Sequence, residues 1–477
     1  MKVAIGYPPL GGEKGVPLLS QNRQFQWFCE PTYIYPMVPA SAATLLHHNG
    51  FEVSWLDGIA GEKSYTQWLA DLETASPDIV ALETKTPVVK RHWEIVKDIK
   101  ERLDTKVVLM GDHVTAFPEE SLAHSPVDYV LTGGDYDFLL DNLARHIRDG
   151  TSLEPGFFWN GGNTGSFVLD HDLSTLPMID RDLTQWKLYA EKNGNFKVTP
   201  GTYTMVARDC WWHRCTFCSW TTLYPKYRAR RPEQLVEEIG NLINHYGVKE
   251  IMDDSGSFPI GKWLETFCNG IIEKGYQNKI RLDCNMRFGA CSLEQYKLMR
   301  KAGFRFVLFG LESGNQATLD RLDKGLTVDE IISSCRKAKQ AGLNPHITIM
   351  FGYPWETMED VQRTVELGKF LMKKGFADTL QATVVIPYPG TPLFKECKEQ
   401  GLLKTEDWDQ YDMKEPIMKT QFPKAELLEA VQSVYKVAFD PEFIVRKVIG
   451  IRSVEDVRFI ARAGKKVVGH VRDFKGK

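Results

Sequence analysis

Short apolar runs recur through the first 150 residues, at Val3–Gly6, Val53–Leu56, Ile79–Leu82, Val107–Met110 and Tyr129–Leu131. The stretches between them, such as Ala40–His48 and His92–Leu103, place apolar residues near the 3.6-residue period of an amphipathic helix. That alternation predicts an α/β chain whose leading domain, residues 1–150, is an open parallel sheet covered by helices on both faces. Ligands of such sheets lie in the crevice at the carboxyl ends of the strands. The segments predicted there are Tyr7-Pro8-Pro9-Leu10, Glu83-Thr84-Lys85-Thr86, Gly111-Asp112-His113 and Thr132-Gly133-Gly134-Asp135. Their small and polar residues suit a planar or phosphate-bearing ligand, although short loops of any such sheet are rich in Gly, Asp and Pro.

Residues 151–200 read as an irregular bridge, with Trp159-Asn160-Gly161-Gly162-Asn163 as a turn between two short strands. A second alternation fills residues 201–400. Its strand-like runs are Tyr203–Ala207, Glu250–Met252, Ile280–Cys284, Phe304–Phe309, His346–Met350 and Thr383–Ile386. Helix-like stretches follow most of them: Pro232–His245, Ile260–Lys274, Leu293–Ala302, Val328–Ala341 and Met358–Lys374. Six successive βα units are too many for a second small open sheet and predict a partial (β/α)6 barrel, whose active site gathers at the carboxyl ends of its strands. Residues 401–477 form a weaker, helical pattern.

Composition narrows the function classes. The chain has 477 residues, 43% hydrophobic and 25% charged, with a net charge of −3, which is the profile of a globular protein and not of a nucleic-acid binder. Nine cysteines are too few for a disulfide scaffold of this length and are odd in number, which places the chain in a reducing, cytoplasmic setting. No apolar run is long enough to span a membrane, and Met1–Gly6 enters a strand without the pattern of a signal peptide. From Asp440 to Lys477, ten Lys/Arg stand against five Asp/Glu. Such a tail is either a solvated helical face or a contact for an anionic partner or a membrane surface.

Three of the nine cysteines, Cys210, Cys215 and Cys218, lie in Cys210-Trp211-Trp212-His213-Arg214-Cys215-Thr216-Phe217-Cys218. Buried structural cysteines scatter, whereas thiolates this close converge on a metal centre. A zinc site would require a fourth ligand, for which His213 and His245 are the nearby histidines. The spacing of four residues and then two also opens a plant-type [2Fe–2S] ligand set, which needs a fourth cysteine. Three thiolates without a fourth suit a [4Fe–4S] cube with one iron left open to a reactant.

The segment Arg214-Cys215-Thr216-Phe217-Cys218-Ser219-Trp220 resembles the second half of the cluster motif of radical S-adenosylmethionine (radical SAM) enzymes. The usual spacing there is three residues and then two, so Cys210 approaches by a longer loop, through Trp211-Trp212-His213. Further resemblances follow in order at predicted strand ends: Met252-Asp253-Asp254-Ser255, Asp283-Cys284-Asn285-Met286-Arg287, Gly310-Leu311-Glu312-Ser313-Gly314-Asn315 with Lys324-Gly325, Phe351-Gly352-Tyr353-Pro354-Trp355, and Ile386-Pro387-Tyr388-Pro389-Gly390. The resemblance implies a TIM-type barrel whose cluster is held by Cys210, Cys215 and Cys218. It also implies that SAM is bound by Phe217 beside adenine, Asp253 and Asp254 at the amino group, Glu312 and Ser313 at ribose and methionine, Tyr353 near adenine, and Arg287 at a carboxylate or substrate anion.

The order of open sheet, bridge, barrel and tail resembles the cobalamin-binding class of radical SAM enzymes, with a Rossmann-like leading domain. That class includes cobalamin-dependent methyltransferases and the anaerobic magnesium-protoporphyrin monomethyl ester cyclase. It implies cobalamin packed by Thr84, Lys85, Thr86, Gly111, Asp112, His113, Gly133 and Gly134. The Asp-x-His-x-x-Gly motif that supplies an axial histidine is absent, since His113 follows Asp112 directly. The methylthiotransferase branch matches less well, because only Cys29 precedes Cys210. The implied chemistry is one-electron cleavage of SAM to a 5′-deoxyadenosyl radical, then functionalisation of an unactivated carbon, by C-methylation or by oxidation and ring closure. A ferredoxin or flavodoxin is the implied electron donor and a small molecule the substrate. Radical SAM chemistry without cobalamin, and a non-catalytic iron–sulfur redox sensor, are the alternatives. Trp211, Trp212, Trp220, Tyr353, Trp355 and Tyr388 suit a flat or apolar substrate and equally suit ordinary packing.

Overall fold

The structure, a computed structural model, describes residues 1–464 apart from 13, 20–24, 29, 30, 452, 454 and 463. Cys29 and the last part of the basic tail therefore lie outside the described residues. The leading sheet runs in the order Glu52–Asp57, Lys2–Tyr7, Ile79–Glu83, Lys106–Met110, Tyr129–Leu131, Phe157–Trp159, Gly162–Asn163. Its first five strands are parallel, as the alternation predicts, and the last two are antiparallel. The turn at residues 160–161 thus belongs to a hairpin that extends this sheet past residue 150. Ile79–Glu83 is buried throughout, which is why it reads as an unbroken apolar run.

The six barrel strands pair in chain order and all parallel: Gly201–Thr204, Glu250–Asp253, Arg281–Met286, Phe304–Glu312, Asn344–Phe351 and Thr379–Val384. Three of the helices between them begin at reciprocal capping boxes, at Ser292, Thr327 and Thr357. The sixth strand begins four residues earlier than its apolar run suggests. Thr379, Leu380 and Gln381 pair with His346, Ile347 and Thr348 on a half-buried edge, where polar residues are tolerated and mask the strand.

A buried ion network clasps the two domains at their facing carboxyl ends. Arg208, just before the cysteine loop, pairs with Asp137 at 2.7 Å and Asp135 at 3.3 Å and donates to the Gly134 carbonyl at 3.2 Å. Arg228 reaches Asp135 at 2.7 Å, and His171 bridges Asp135 at 3.0 Å and Glu154 at 2.8 Å. Although burial opposes its charge, bonds to these two carboxylates raise His171 to about 9 from its usual 6.5. A raised pKa means the fold prefers the protonated ring. The resulting stabilisation is complete below about 6.5 and disappears as the pH rises through about 9. Allowing for solvent screening, it is worth about 1–2 kcal/mol. The melting temperature should therefore fall across that interval, and His171→Gln should flatten the slope; an unchanged slope in the variant would remove His171 from the clasp.

After the sixth barrel strand the chain returns to the leading domain. The turn Trp408–Gln410 lies on the turn Thr86–Val88, with the Trp408 ring 5.2 Å from His113 and its indole N–H donating to Glu120 at 2.9 Å. Among the described residues, no helix is long and apolar enough to cross a membrane.

Candidate active site

The loop bearing the three cysteines opens from a short antiparallel pair, Ala207–Arg208 with Arg228–Ala229. It passes through the left-handed region at Asp209 (φ 75°) and His213 (φ 52°), and the Asp209 carboxylate bonds the His213 ring across the bend. The wider Cys210–Cys215 spacing is taken up there. The loop is pinned from outside: Trp212 donates to the Asp323 carbonyl at 2.7 Å, Arg214 pairs with Asp323 at 3.0 Å, and Thr216 N–H donates to the Leu322 carbonyl at 3.1 Å. Gly256 is required on the opposite side, since a Cβ there would stand 2.8 Å from the Asp209 carbonyl carbon.

Burial pushes the Cys215 thiol up to about 11 and Cys218 to about 12, and raises Cys210 as well. The charges of Lys324, Cys210, Glu312 and Arg287 also act on Cys215, and that of Cys215 on Cys218, so the three thiols share one neighbourhood. Backbone N–H groups of Trp212 and His213 bond the Cys210 sulfur, and that of Trp220 bonds Cys218. Burial that keeps a free thiol protonated is overcome by coordination, which deprotonates it outright. Among the described residues no three His, Cys, Asp or Glu side chains converge on a single ion. His245, the fourth ligand a zinc site would need, lines an outer groove between helices Pro232–Asn244 and Lys262–Glu273. A cube gives each thiolate its own iron and makes neither demand.

Among the buried polar atoms without a protein partner are Asp209 Oδ1, Trp211 Nε1, Thr222 Oγ1, Tyr227 OH, Asn285 Oδ1, Arg287 Nε and Tyr353 OH. Unsatisfied buried groups are costly and rare, so these are candidates to meet a polar ligand. The donor set is what SAM and a three-thiolate cluster would use.

Glu312 sits in the left-handed region (φ 66°) at a bulge in the fourth strand, and Lys324 Nζ donates to its Oε1 at 2.7 Å. Gly310 makes room for that pair, because a Cβ there would meet Glu312 Oε1 at 2.1 Å. The Arg287 guanidinium lies 4.0 Å from the Trp212 ring centroid and donates to the Gly325 carbonyl at 2.6 Å. Tyr353 is fully buried and stacks on Trp355 at 5.3 Å. Phe217 packs against the apolar cluster that contains Tyr353, and Lys324 Nζ stands 5.9 Å from its ring centroid. Asp254 is buried next to Asn285, whose amide reaches it at 3.5 Å.

Two expected SAM contacts are turned elsewhere. Asp253 accepts from the Thr204 hydroxyl at 2.9 Å and from the backbone N–H groups of Val206 at 3.0 Å and Ser255 at 3.1 Å, while burial lifts its carboxyl to about 6. It braces the ends of two strands. The Ser313 hydroxyl donates to Glu356 at 2.9 Å and accepts from Asn315 N–H at 3.1 Å, so it organises its own loop. In their place the geometry brings in Lys324, Asn285 and Tyr227. The first two lie within the motif strings quoted above, whereas Tyr227 carries no sequence signal. Of the aromatic residues suggested for a substrate, Trp220, Tyr353 and Tyr388 are core residues.

The leading domain's loops face this site across a junction formed by Asp112–Ala116, the short helix Trp220–Leu223 and Gly390, where a Cβ would meet Thr222 at 2.5 Å and Ala116 at 3.2 Å. Most of the polar atoms expected to hold cobalamin are paired within the protein. Thr84 bonds His92 at 2.8 Å, Lys85 lies 3.6 Å from Asp112 and 3.7 Å from Glu83, and Thr86 bonds His113 at 3.2 Å. The second His113 nitrogen bonds Glu120 at 2.9 Å, and the ring is fully buried. Gly111, Gly133 and Gly134 are closed over by the Thr84 carbonyl, Phe167 and Tyr224. The donor left over at the junction is Thr222. His113, with both ring nitrogens bonded to Thr86 and Glu120, is engaged within the protein and offers no free nitrogen to a metal.

Comparison with known proteins agrees with this geometry. The model of the radical SAM superfamily matches residues 206–368. An uncharacterised methyltransferase of Pyrococcus horikoshii is 27% identical over 395 residues, 80% of this chain and 83% of its own length. The anaerobic magnesium-protoporphyrin IX monomethyl ester cyclase of Cereibacter sphaeroides is 27% identical over 399 residues, 80% of this chain but 63% of the cyclase. The structure of the radical SAM methyltransferase TsrM from Kitasatospora setae, with cobalamin and a [4Fe–4S] cluster bound, superposes over 99% of both chains with a TM-score of 0.70 at 16% identity. Residues 206–368 therefore carry a radical SAM domain, in a chain whose leading parallel sheet faces the mouth of a six-stranded partial barrel.

Proposed function

We propose that this enzyme cleaves SAM reductively at a [4Fe–4S] cluster on Cys210, Cys215 and Cys218 and functionalises an unactivated carbon of a small molecule, with C-methylation as its main outcome and cobalamin as a second cofactor. The observation that carries the proposal is the combination of the three-thiol loop with unpaired buried polar atoms such as Asn285 Oδ1, Arg287 Nε and Tyr353 OH. When bound, the cluster supplies the electron that breaks a carbon–sulfur bond of SAM, and cobalamin supplies a methyl carrier.

The chain's own residues do the rest. Asn285 Oδ1 and Asp254 accept from the SAM ammonium. Arg287 Nε, held by its stack on Trp212, donates to a carboxylate. Glu312, fixed by Lys324, accepts from ribose hydroxyls by charge-assisted bonds. Phe217 and Tyr353 border the adenine, and the Tyr353 hydroxyl is free to donate. The leading domain, clasped through Arg208, keeps water from the mouth of the barrel. Electrons arrive from a ferredoxin or flavodoxin in a reducing, cytoplasmic setting.

Anaerobic, cluster-reconstituted protein given SAM and reductant should release 5′-deoxyadenosine; no release overturns the reading. Stoichiometric corrinoid absorption after reconstitution with cobalamin supports the second cofactor, and its absence removes that half alone. The likeness to the cyclase favours one second outcome, oxidative ring closure. Methyl-labelled SAM separates the two, because only methylation carries the label into product.

A further inference from the structure

The last described stretch of the chain crosses the barrel at the end opposite the cysteine loop. Helix Pro441–Ile449 is anchored where the sixth strand starts: Arg446 donates to the Met372 carbonyl at 2.8 Å, Asp440 pairs with Lys373 at 2.9 Å, and Lys447 pairs with Asp378 at 3.0 Å. Farther on, Asp456 pairs with Lys197 and Arg462 donates to the Lys197 carbonyl at 3.0 Å, just ahead of the first strand. The Phe459 ring centroid lies 5.7 Å from the guanidinium of Arg305, at the start of the fourth strand. Strand beginnings, not strand ends, meet this segment, which makes it the floor of the barrel.

The helix leaves most of its apolar residues in solvent. None of its residues is buried, Phe443, Arg446 and Lys447 hold it to the protein, and Ile444, Val445 and Val448 are 45%, 55% and 59% exposed. Phe439 before it and Val457 after it are 62% and 51% exposed, and Phe370 on the neighbouring helix is 38% exposed. A surface helix ordinarily turns its apolar stripe inward, and a contiguous exposed patch marks an interaction surface. Lysines border the stripe, of which Lys373 is paired with Asp440. Lys369 is held below its usual pKa by burial and by the charges of Lys436 and Lys373, so the three ammonium groups stand together.

An apolar stripe bordered by cations matches one occupant in both respects, a bilayer surface with acidic headgroups: acyl chains take the stripe and phosphates the lysines. We propose that the floor of the barrel docks this enzyme on an anionic membrane, leaving its reaction mouth turned away from the lipid. The inference does not depend on which reaction the site performs.

Co-sedimentation of the full-length, cluster-loaded protein tests it, with vesicles of phosphatidylcholine alone and of phosphatidylcholine mixed with phosphatidylglycerol. The protein should pellet with the mixed vesicles, less so as salt rises, and remain in solution with the neutral ones. Ile444→Asp combined with Val448→Asp should lower the bound fraction roughly tenfold while release of 5′-deoxyadenosine stays at the level of the unsubstituted protein. Lys369→Glu with Lys436→Glu, which leaves the stripe intact, should lose the preference for acidic lipid. Equal binding to both vesicle types, no binding to either, or unchanged binding by the variants overturns the proposal. So does a dimer in light scattering that the aspartate variant dissolves without any vesicle binding, since a second copy would then be the occupant.

Discussion

Cys215→Ala is expected to abolish both iron loading and SAM cleavage, the largest effect of any single substitution in this chain. Cys215 lies between the other two thiols in sequence and interacts electrostatically with Cys210, Lys324, Glu312 and Arg287, so it is central to the site in space as well. Two remaining thiolates would leave two irons of a cube without a protein ligand, and nothing within the loop replaces the third: His213 is held by Asp209, and the amides of Trp212 and His213 already serve Cys210. Iron content, the charge-transfer absorbance of the cluster and 5′-deoxyadenosine release should all fall to background. Cys291→Ala is the control, because that thiol is buried against Met286 Sδ at 3.7 Å, away from the loop. Its loss costs packing on the order of 1 kcal/mol and should leave cluster and cleavage intact. Cleavage retained by Cys215→Ala would overturn the ligand assignment.

What the sequence disclosed and what it hid divide along physical lines. The parallel strands were legible because their burial on both faces writes continuous apolar runs, as in Ile79–Glu83. The cysteine loop was legible because clustered thiols have few other uses. Side-chain direction was not. Asp253 and Asp254 are neighbours at a strand end and so point to opposite sides, and only the fold shows that the first turns back to Thr204 and Val206. Ser313 has the residue type expected of a ribose contact, yet its bonds close on Glu356 and Asn315. The loops of the leading sheet were placed correctly at the carboxyl ends of their strands. Their internal pairing, Thr84 with His92 and His113 with Thr86 and Glu120, joins residues whose partnership no local pattern announces. Lys324 was quoted with the fourth-strand motif, but its pairing with Glu312 was hidden by distance along the chain. The short helix Gln316–Arg321 must fold before the chain returns to Glu312.

That return makes Lys324→Met the second large effect. Methionine keeps the length and apolar stem of the side chain but removes the charge 2.7 Å from Glu312, in a pair whose side chains are only 9% and 8% exposed. A buried carboxylate stripped of its partner destabilises a fold by about 3–5 kcal/mol, and here the carboxylate also sits at a strained position, φ 66°, that the ion pair helps to hold. The three thiols are untouched, so iron should still load. SAM cleavage should fall on the order of 10²–10³-fold, with much of the loss appearing as a raised KM for SAM. The second variant to make is Lys324→Met with Glu312→Gln. Removing both charges should restore much of the stability, since no lone buried charge remains, but not the affinity for SAM, since the acceptor held for ribose has become an amide. That divergence separates a binding role from a merely structural one. The electron paramagnetic resonance signal of the reduced cluster gives a direct readout: it should change on addition of SAM to the unsubstituted protein and respond only at far higher SAM in either variant. A Lys324→Met protein with an unaltered KM and an unaltered spectral response would place the Lys324–Glu312 pair outside the SAM site.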